Sequence, residues 1–185
     1  MKLINENLKK TGIVNSILIV IALVLEASAI KGLPLFGVID KVVSVVGLIC
    51  GLLYSIKGYK KNAARYYKWF MYLFALRSLI SFAISVFLVG FKASDLISLI
   101  HAINFAIFVC AFMLAFIKDF GEHNSKTAAT IILVLSGIRL FGDVTSMLLF
   151  DANYVNVTAA IFVEAIIINV LVSQKYIDKA SRGAK

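Results

Sequence analysis

The sequence carries little charge for its length. Asp, Glu, Lys and Arg make up 16% of the 185 residues, and 61% of the residues are hydrophobic. An ordinary soluble domain has roughly a quarter charged residues and about half apolar ones. The composition therefore excludes an ordinary soluble domain.

Proline and cysteine are also scarce. The single proline, Pro34, argues against a loop-rich or disordered chain. Cys50 and Cys110 both lie in apolar segments, with no C-x-x-C spacing and no histidine cluster nearby. We interpret them as small apolar residues of the interior, so the sequence predicts no disulfide framework, no metal site and no cofactor.

Recognisable catalytic motifs are missing. The sequence contains no G-x-x-x-x-G-K-[ST], G-x-G-x-x-G, H-E-x-x-H or G-x-S-x-G. It has only two histidines, and no serine has a candidate base at a recognisable spacing. No catalytic residue is predicted, and a small intramembrane enzyme is kept only as a second alternative.

The sequence does contain six long apolar segments. A helix needs about 20 mostly apolar residues to cross a membrane. Short polar breaks join the segments, so we expect an all-α polytopic membrane protein of three helical hairpins in a single domain, 1–185, with a basic tail at 174–185. The predicted transmembrane helices are 11–30, 36–56, 69–91, 96–117, 127–150 and 155–173.

Basic residues concentrate on one side of the predicted bundle. The opposite side holds Lys31, Lys41 and Lys92. The positive-inside rule then places both termini in the cytoplasm and the protein in the cell membrane. Contact with anionic lipid explains the net charge of +9, and no nucleic-acid partner is predicted because no basic-aromatic face exists outside the apolar segments. The cytoplasmic side holds Lys2, Lys9, Lys10, Lys57, Lys60, Lys61, Arg65, Lys68, Lys118, Lys126, Lys175, Lys179, Arg182 and Lys185.

Polar residues inside the apolar segments are the candidate site. A charge at the centre of a membrane helix costs about 2.5–3.5 kcal/mol, so it normally faces protein. In the fifth segment, Ser136, Arg139 and Asp143 fall on one helical face, and Arg139 and Asp143 are spaced to pair. The candidates for a ligand or ion pathway are Glu26, Arg77, His101, Asn104, Arg139, Asp143 and Glu164.

At 1.5 Å per residue from the predicted helix ends, these residues fall at different depths in the bilayer. Arg77 comes out lower than the others, while one layer from the midplane to the outer half of the bilayer contains Glu26, His101, Arg139, Asp143 and Glu164. Two interpretations stay open. The layer lines a cavity that binds a small polar or ionic ligand or relays protons, or it consists of structural pairs, Arg139 with Asp143 and Arg77 with Glu26 or Glu164.

Three functional hypotheses follow. The first is a small transporter, channel or substrate-binding membrane subunit that uses the polar layer. In size and helix number the chain is similar to the substrate-binding subunits of energy-coupling-factor transporters, a similarity of architecture alone. The alternative is a non-catalytic partner or sensor subunit that acts by helix packing. It predicts an exposed face at Gly47 and Gly51, a G-x-x-x-G pattern, bound to another membrane protein or to a second copy. The enzyme noted above is the third.

Overall fold

The described residues form six α-helices. The computed structural model describes residues 2–30, 33, 35–57, 64–89, 96–116, 121–149 and 154–182, and this part of the chain contains no β-strand. The all-α class predicted from the sequence is confirmed. The helices are α1 (Lys2–Ser28), α2 (Leu35–Ile56), α3 (Ala64–Val89), α4 (Leu96–Phe116), α5 (Glu122–Leu149) and α6 (Tyr154–Arg182).

Four of the helices are long and apolar enough to cross a membrane. The spans are Glu6–Ser28 in α1, Leu35–Ile56 in α2, His123–Thr145 in α5 and Val157–Gln174 in α6. A shorter apolar stretch, Ala102–Phe116, lies in α4.

Several helices extend beyond their predicted ends. α1 begins at Lys2 instead of residue 11, α3 at Ala64 instead of 69, and α6 ends at Arg182 instead of 173. A helix satisfies its backbone hydrogen bonds internally, so it can continue after the apolar stretch has ended. The predicted basic tail is therefore helical as far as Arg182, and residues 183–185 lie outside the described residues.

The helices form a closed ring. Each helix packs against the next one in the chain, α6 returns to pack against α1, and α2 also contacts α6. Apolar side chains from all six helices fill the interior of the ring, where they pack against one another. Fully or almost fully buried examples are Ile19, Leu48, Met71, Ile107, Ile132 and Ile166.

The distribution of polarity is the reverse of that in a soluble protein. Phe141 and Leu148 on α5 are 74% and 77% exposed. Asn15, Glu26 and Glu164, in contrast, are buried. Soluble proteins almost never bury such acids unless they are paired, and they avoid broad exposed apolar faces. The outer surface therefore suits a lipid environment, whereas Glu26 and Glu164 face the bundle interior.

The two glycines of α2 mediate packing within the bundle. An ideal Cβ on Gly51 would lie 3.0 and 3.1 Å from two ring carbons of Phe70 in α3, and one on Gly47 would lie 3.4 Å from Cβ of Leu73. Both glycines are buried. The expectation that they form an exposed face for a partner is therefore wrong, because α3 already covers them.

Candidate functional site: a buried charged layer

Glu26 of α1 is the centre of one group of charges. Its carboxylate is fully buried and lies between cations from two other helices. Nη2 of Arg77 in α3 donates a hydrogen bond to Oε1 of Glu26 at 3.3 Å. Nζ of Lys41 in α2 lies 2.8 Å from Oε2, an ion pair by distance that lacks the angles of a hydrogen bond. Glu26 thus holds three helices together.

Asp40 completes this group from the start of α2. Nε of Arg77 lies 3.8 Å from Oδ2 of Asp40, and the hydroxyl of Ser81 donates a hydrogen bond to Oδ1 at 3.4 Å. We call Glu26, Asp40, Lys41 and Arg77 the Glu26 cluster. With two acids and two bases, it is formally neutral.

A second group joins α5 to α6. Nη1 of Arg139 lies 3.2 Å from Oε1 of Glu164, whose side chain is 1% exposed. Asp143 follows one turn after Arg139, and its charge interacts with those of Arg139, Glu164 and Arg77. We call Arg139, Asp143 and Glu164 the Glu164 cluster. It contains two acids and one base.

Two carboxylate oxygens of the Glu164 cluster have no hydrogen-bond partner within the described residues. They are Oε2 of Glu164 and Oδ2 of Asp143, and both atoms are buried. Buried polar atoms normally have a partner in the protein or in ordered water. Together the two clusters form a charged layer of three cations and four carboxylates, with the excess acid in the Glu164 cluster.

Neutral polar groups without a partner are also buried in the bundle. Ser44, Ser78, Asn104 and Ser136 each have a side-chain oxygen with no hydrogen-bond partner among the described residues. A void of about 20 Å³ lies beside Ser44 and Arg77, which is enough for one water molecule. The interior near the charged layer therefore has unused hydrogen-bonding capacity.

The structure brings together some of the residues singled out in the sequence. Arg77 contacts Glu26, one of its two proposed partners. Arg139 contacts Glu164 on α6, and no ion pair between Arg139 and Asp143 is found in the described chain. Although Arg77 is predicted to lie lower in the bilayer than Glu26, its long side chain reaches the Glu26 carboxylate.

Two further predicted residues lie on α4. Asn104 is buried, and His101 belongs to the helix, but its side chain lies outside the described residues. Whether these residues contact a ligand stays a prediction.

Sequence reasoning missed the role of Lys41. Lys41 is predicted within the second helix on the outer side and is not among the candidate residues, whereas in the structure it is only 9% exposed and pairs with Glu26. The signal was present, because Lys41, Ser44, Leu48 and Gly51 repeat the helical spacing found for Ser136, Arg139 and Asp143 in α5. All four α2 residues are buried.

A separate polar network lies between α1, α2 and α6. Nδ2 of Asn15 donates a hydrogen bond to the hydroxyl of Ser55 at 2.8 Å, and Nδ2 of Asn169 donates one to Oδ1 of Asn15 at 3.1 Å. The Tyr54 hydroxyl donates a hydrogen bond to Oε1 of Gln174. Because its members bond to one another, this network is well suited to holding the three helices in register.

The fold and the layer together define an all-α bundle whose apolar outer surface encloses paired and unpaired charges. The chain matches no protein-family model, no curated protein and no solved structure. Within the described residues, no three His, Cys, Asp or Glu side chains come together as a potential metal site.

Proposed function

We propose that this protein is integral to the cell membrane and crosses it six times as three helical hairpins, with both termini in the cytoplasm. Four helices have the required length and hydropathy. The other two, α3 with 26 residues and α4 with 21, would span roughly 39 and 32 Å at 1.5 Å per residue. A bilayer core is about 30 Å thick. The bias of Lys and Arg supports the orientation.

Fusions at the C-terminus test this topology. Green fluorescent protein fluoresces when it stays in the cytoplasm, and alkaline phosphatase is active only after export. We expect a fluorescent first fusion and an inactive second one. An active phosphatase fusion, or recovery of the chain in the soluble fraction, would contradict the proposal.

We further propose that the protein is a small transporter, channel or substrate-binding subunit whose charged layer binds a small cation. The observation that supports this proposal is the excess acid of the Glu164 cluster, in which one oxygen each of Glu164 and Asp143 has no hydrogen-bond partner among the residues that the structure describes. Uncompensated charge is costly in a low-dielectric interior, and ionisable residues at membrane depth commonly mark ion or proton pathways. A bound cation or proton would neutralise the cluster.

Cation binding is testable by thermal unfolding of the purified protein. A ligand at one hundred times its dissociation constant stabilises the folded state by about 2.7 kcal/mol. Lithium, sodium and potassium chloride are compared with N-methylglucamine chloride at equal ionic strength, and proton uptake into proteoliposomes is followed with an internal pH dye. We expect a response to at least one of these cations.

The variant Asp143→Asn removes the excess charge and should abolish that response. Glu6→Gln is the matched control, because Glu6 is an exposed acid of α1. The proposal fails if no cation stabilises the protein and no proton uptake occurs. It also fails if Asp143→Asn responds like the wild type.

A further inference from the structure

A groove opens where α3 begins and α4 ends, apart from the charged layer. Its volume is about 590 Å³, and none of the side chains that line it among the described residues is acidic. Two of them, Arg65 and Lys68, are exposed cations, and the rest are aromatic or apolar. The groove is lined by Arg65, Lys68, Trp69, Tyr72, Ala115 and Phe116.

Two cations lie over the ring of Tyr66, the neighbour of the groove residue Arg65. The guanidinium carbon of Arg65 lies 5.3 Å from the ring centroid of Tyr66, and Nζ of Lys57 lies 4.9 Å from the same centroid. A hydrogen bond from Arg65 and the nearby charge of Lys57 lower the pKa of the Tyr66 hydroxyl below its usual value. Its position over the Tyr66 ring restricts the Arg65 side chain, so less conformational entropy is lost when Arg65 binds an anion.

A row of aromatic rings runs from the groove along α4. The Tyr72 ring lies 5.0 Å from that of Phe116, Phe116 lies 4.6 Å from Phe112, and Phe112 lies 5.9 Å from Phe108. Phe105 continues the row 6.2 Å beyond Phe108. From Phe105 to Phe116 the row covers roughly 16 Å along the helix.

This row, together with Trp69 beside Tyr72, is called the aromatic stripe. About half of the surface of Trp69, Phe105, Phe112 and Phe116 is exposed. The stripe is therefore a continuous apolar surface on the outside of the bundle that begins at the basic groove.

We propose that the groove and the aromatic stripe bind one anionic phospholipid. Arg65 and Lys68 hold its phosphate group, and an acyl chain lies along Phe116, Phe112 and Phe105. A free phosphate would use only the cations, whereas a phospholipid matches both surfaces. The inference rests on the proposed membrane insertion, which places these cations at the cytoplasmic leaflet, where anionic lipids are found.

Trp69 is the only tryptophan of the chain, so its fluorescence reports on the groove alone. The full-length protein is reconstituted in bilayers of unlabelled phosphatidylcholine. One sample also contains phosphatidylglycerol with brominated acyl chains, and the other contains phosphatidylcholine with the same brominated chains. Bromine quenches tryptophan by contact. Two cations near the surface should favour the anionic lipid at least tenfold in apparent association.

Variants separate the two halves of the site. The double variant Arg65→Gln with Lys68→Gln should bring the ratio of apparent association with phosphatidylglycerol to that with phosphatidylcholine close to one. Lys10→Gln, an exposed cation of α1, should leave the preference unchanged. Phe112→Ala with Phe116→Ala should reduce quenching by both brominated lipids, because these rings contact the chain and not the phosphate.

Equal quenching by the two brominated lipids in the wild-type protein would overturn the proposal, and so would a loss of preference in Lys10→Gln as large as in the double glutamine variant. If excess inorganic phosphate abolishes the preference, the site binds free phosphate and the lipid assignment is wrong. Failure of membrane insertion is recognised separately, because the protein would then not float with the vesicles.

Discussion

Replacing Arg139 with glutamine tests the pairing in the Glu164 cluster most directly. The change removes the cation 3.2 Å from Glu164, whose side chain is 1% exposed. Removing one partner of a buried ion pair costs about 3–5 kcal/mol, because the other charge stays buried without compensation. In a chain of this size each kcal/mol lowers the melting temperature by about 2–4 °C. Arg139→Gln should therefore melt roughly 6–20 °C below the wild type.

A double-mutant cycle separates pairing from other effects of the substitution. Arg139→Gln with Glu164→Gln removes both charges, and replacing a complete buried pair with uncharged residues is often close to neutral. The double variant should therefore be more stable than Arg139→Gln, whereas Glu164→Gln should lose least, because it leaves one base, Arg139, with one acid, Asp143. Thermal unfolding in detergent, followed by tyrosine and tryptophan fluorescence, measures all four proteins, with Lys10→Gln as a surface control. Additive losses in the cycle, or a loss below about 1 kcal/mol in Arg139→Gln, would refute the assignment of a buried pair.

Four further substitutions test the rest of the bundle. Glu26→Gln leaves Lys41 and Arg77 close together without their shared acid, so it should lower the free energy of unfolding by about 3–5 kcal/mol. The same unfolding assay measures this, and a loss no larger than that of Glu6→Gln would contradict the cluster. Gly51→Ala drives a methyl group into the Phe70 ring and should cost about 1–3 kcal/mol, whereas Gly47→Ala meets ordinary contact distance and should cost less. Asp143→Asn should raise the melting temperature in cation-free buffer, and an unchanged or lower value would count against excess charge there.

Much of the fold was predictable because the apolar segments are long and the polar breaks are short. Hydropathy identified the existence and order of the six helices. It did not locate the ends of α1, α3 and α6, since the helical backbone continues into polar sequence. The length and hydropathy of a segment indicate whether it can lie in a membrane. The residue at which a helix ends depends instead on local backbone hydrogen bonding.

The residues of the charged layer were mostly predictable, but their partners were not. Periodicity placed Ser136, Arg139 and Asp143 on an inward face, and the i, i+4 spacing made a pair within α5 possible. The arginine contacts Glu164 instead, and that choice depends on how closely α6 packs against α5. That packing depends on many side chains of both helices, so it cannot be predicted from the spacing of a few residues in the sequence.

The two clusters of the layer differ in what they imply. The Glu26 cluster has equal numbers of acids and bases, so holding α1, α2 and α3 together explains it fully. Structural pairing does not explain Asp143, because Arg139 already neutralises Glu164 and a second buried acid lowers stability. Residues that lower the stability of the fold in this way are commonly found at functional sites. If Asp143→Asn stabilises the free protein and also abolishes its response to cations, the Asp143 carboxylate both destabilises the free protein and is needed for cation binding.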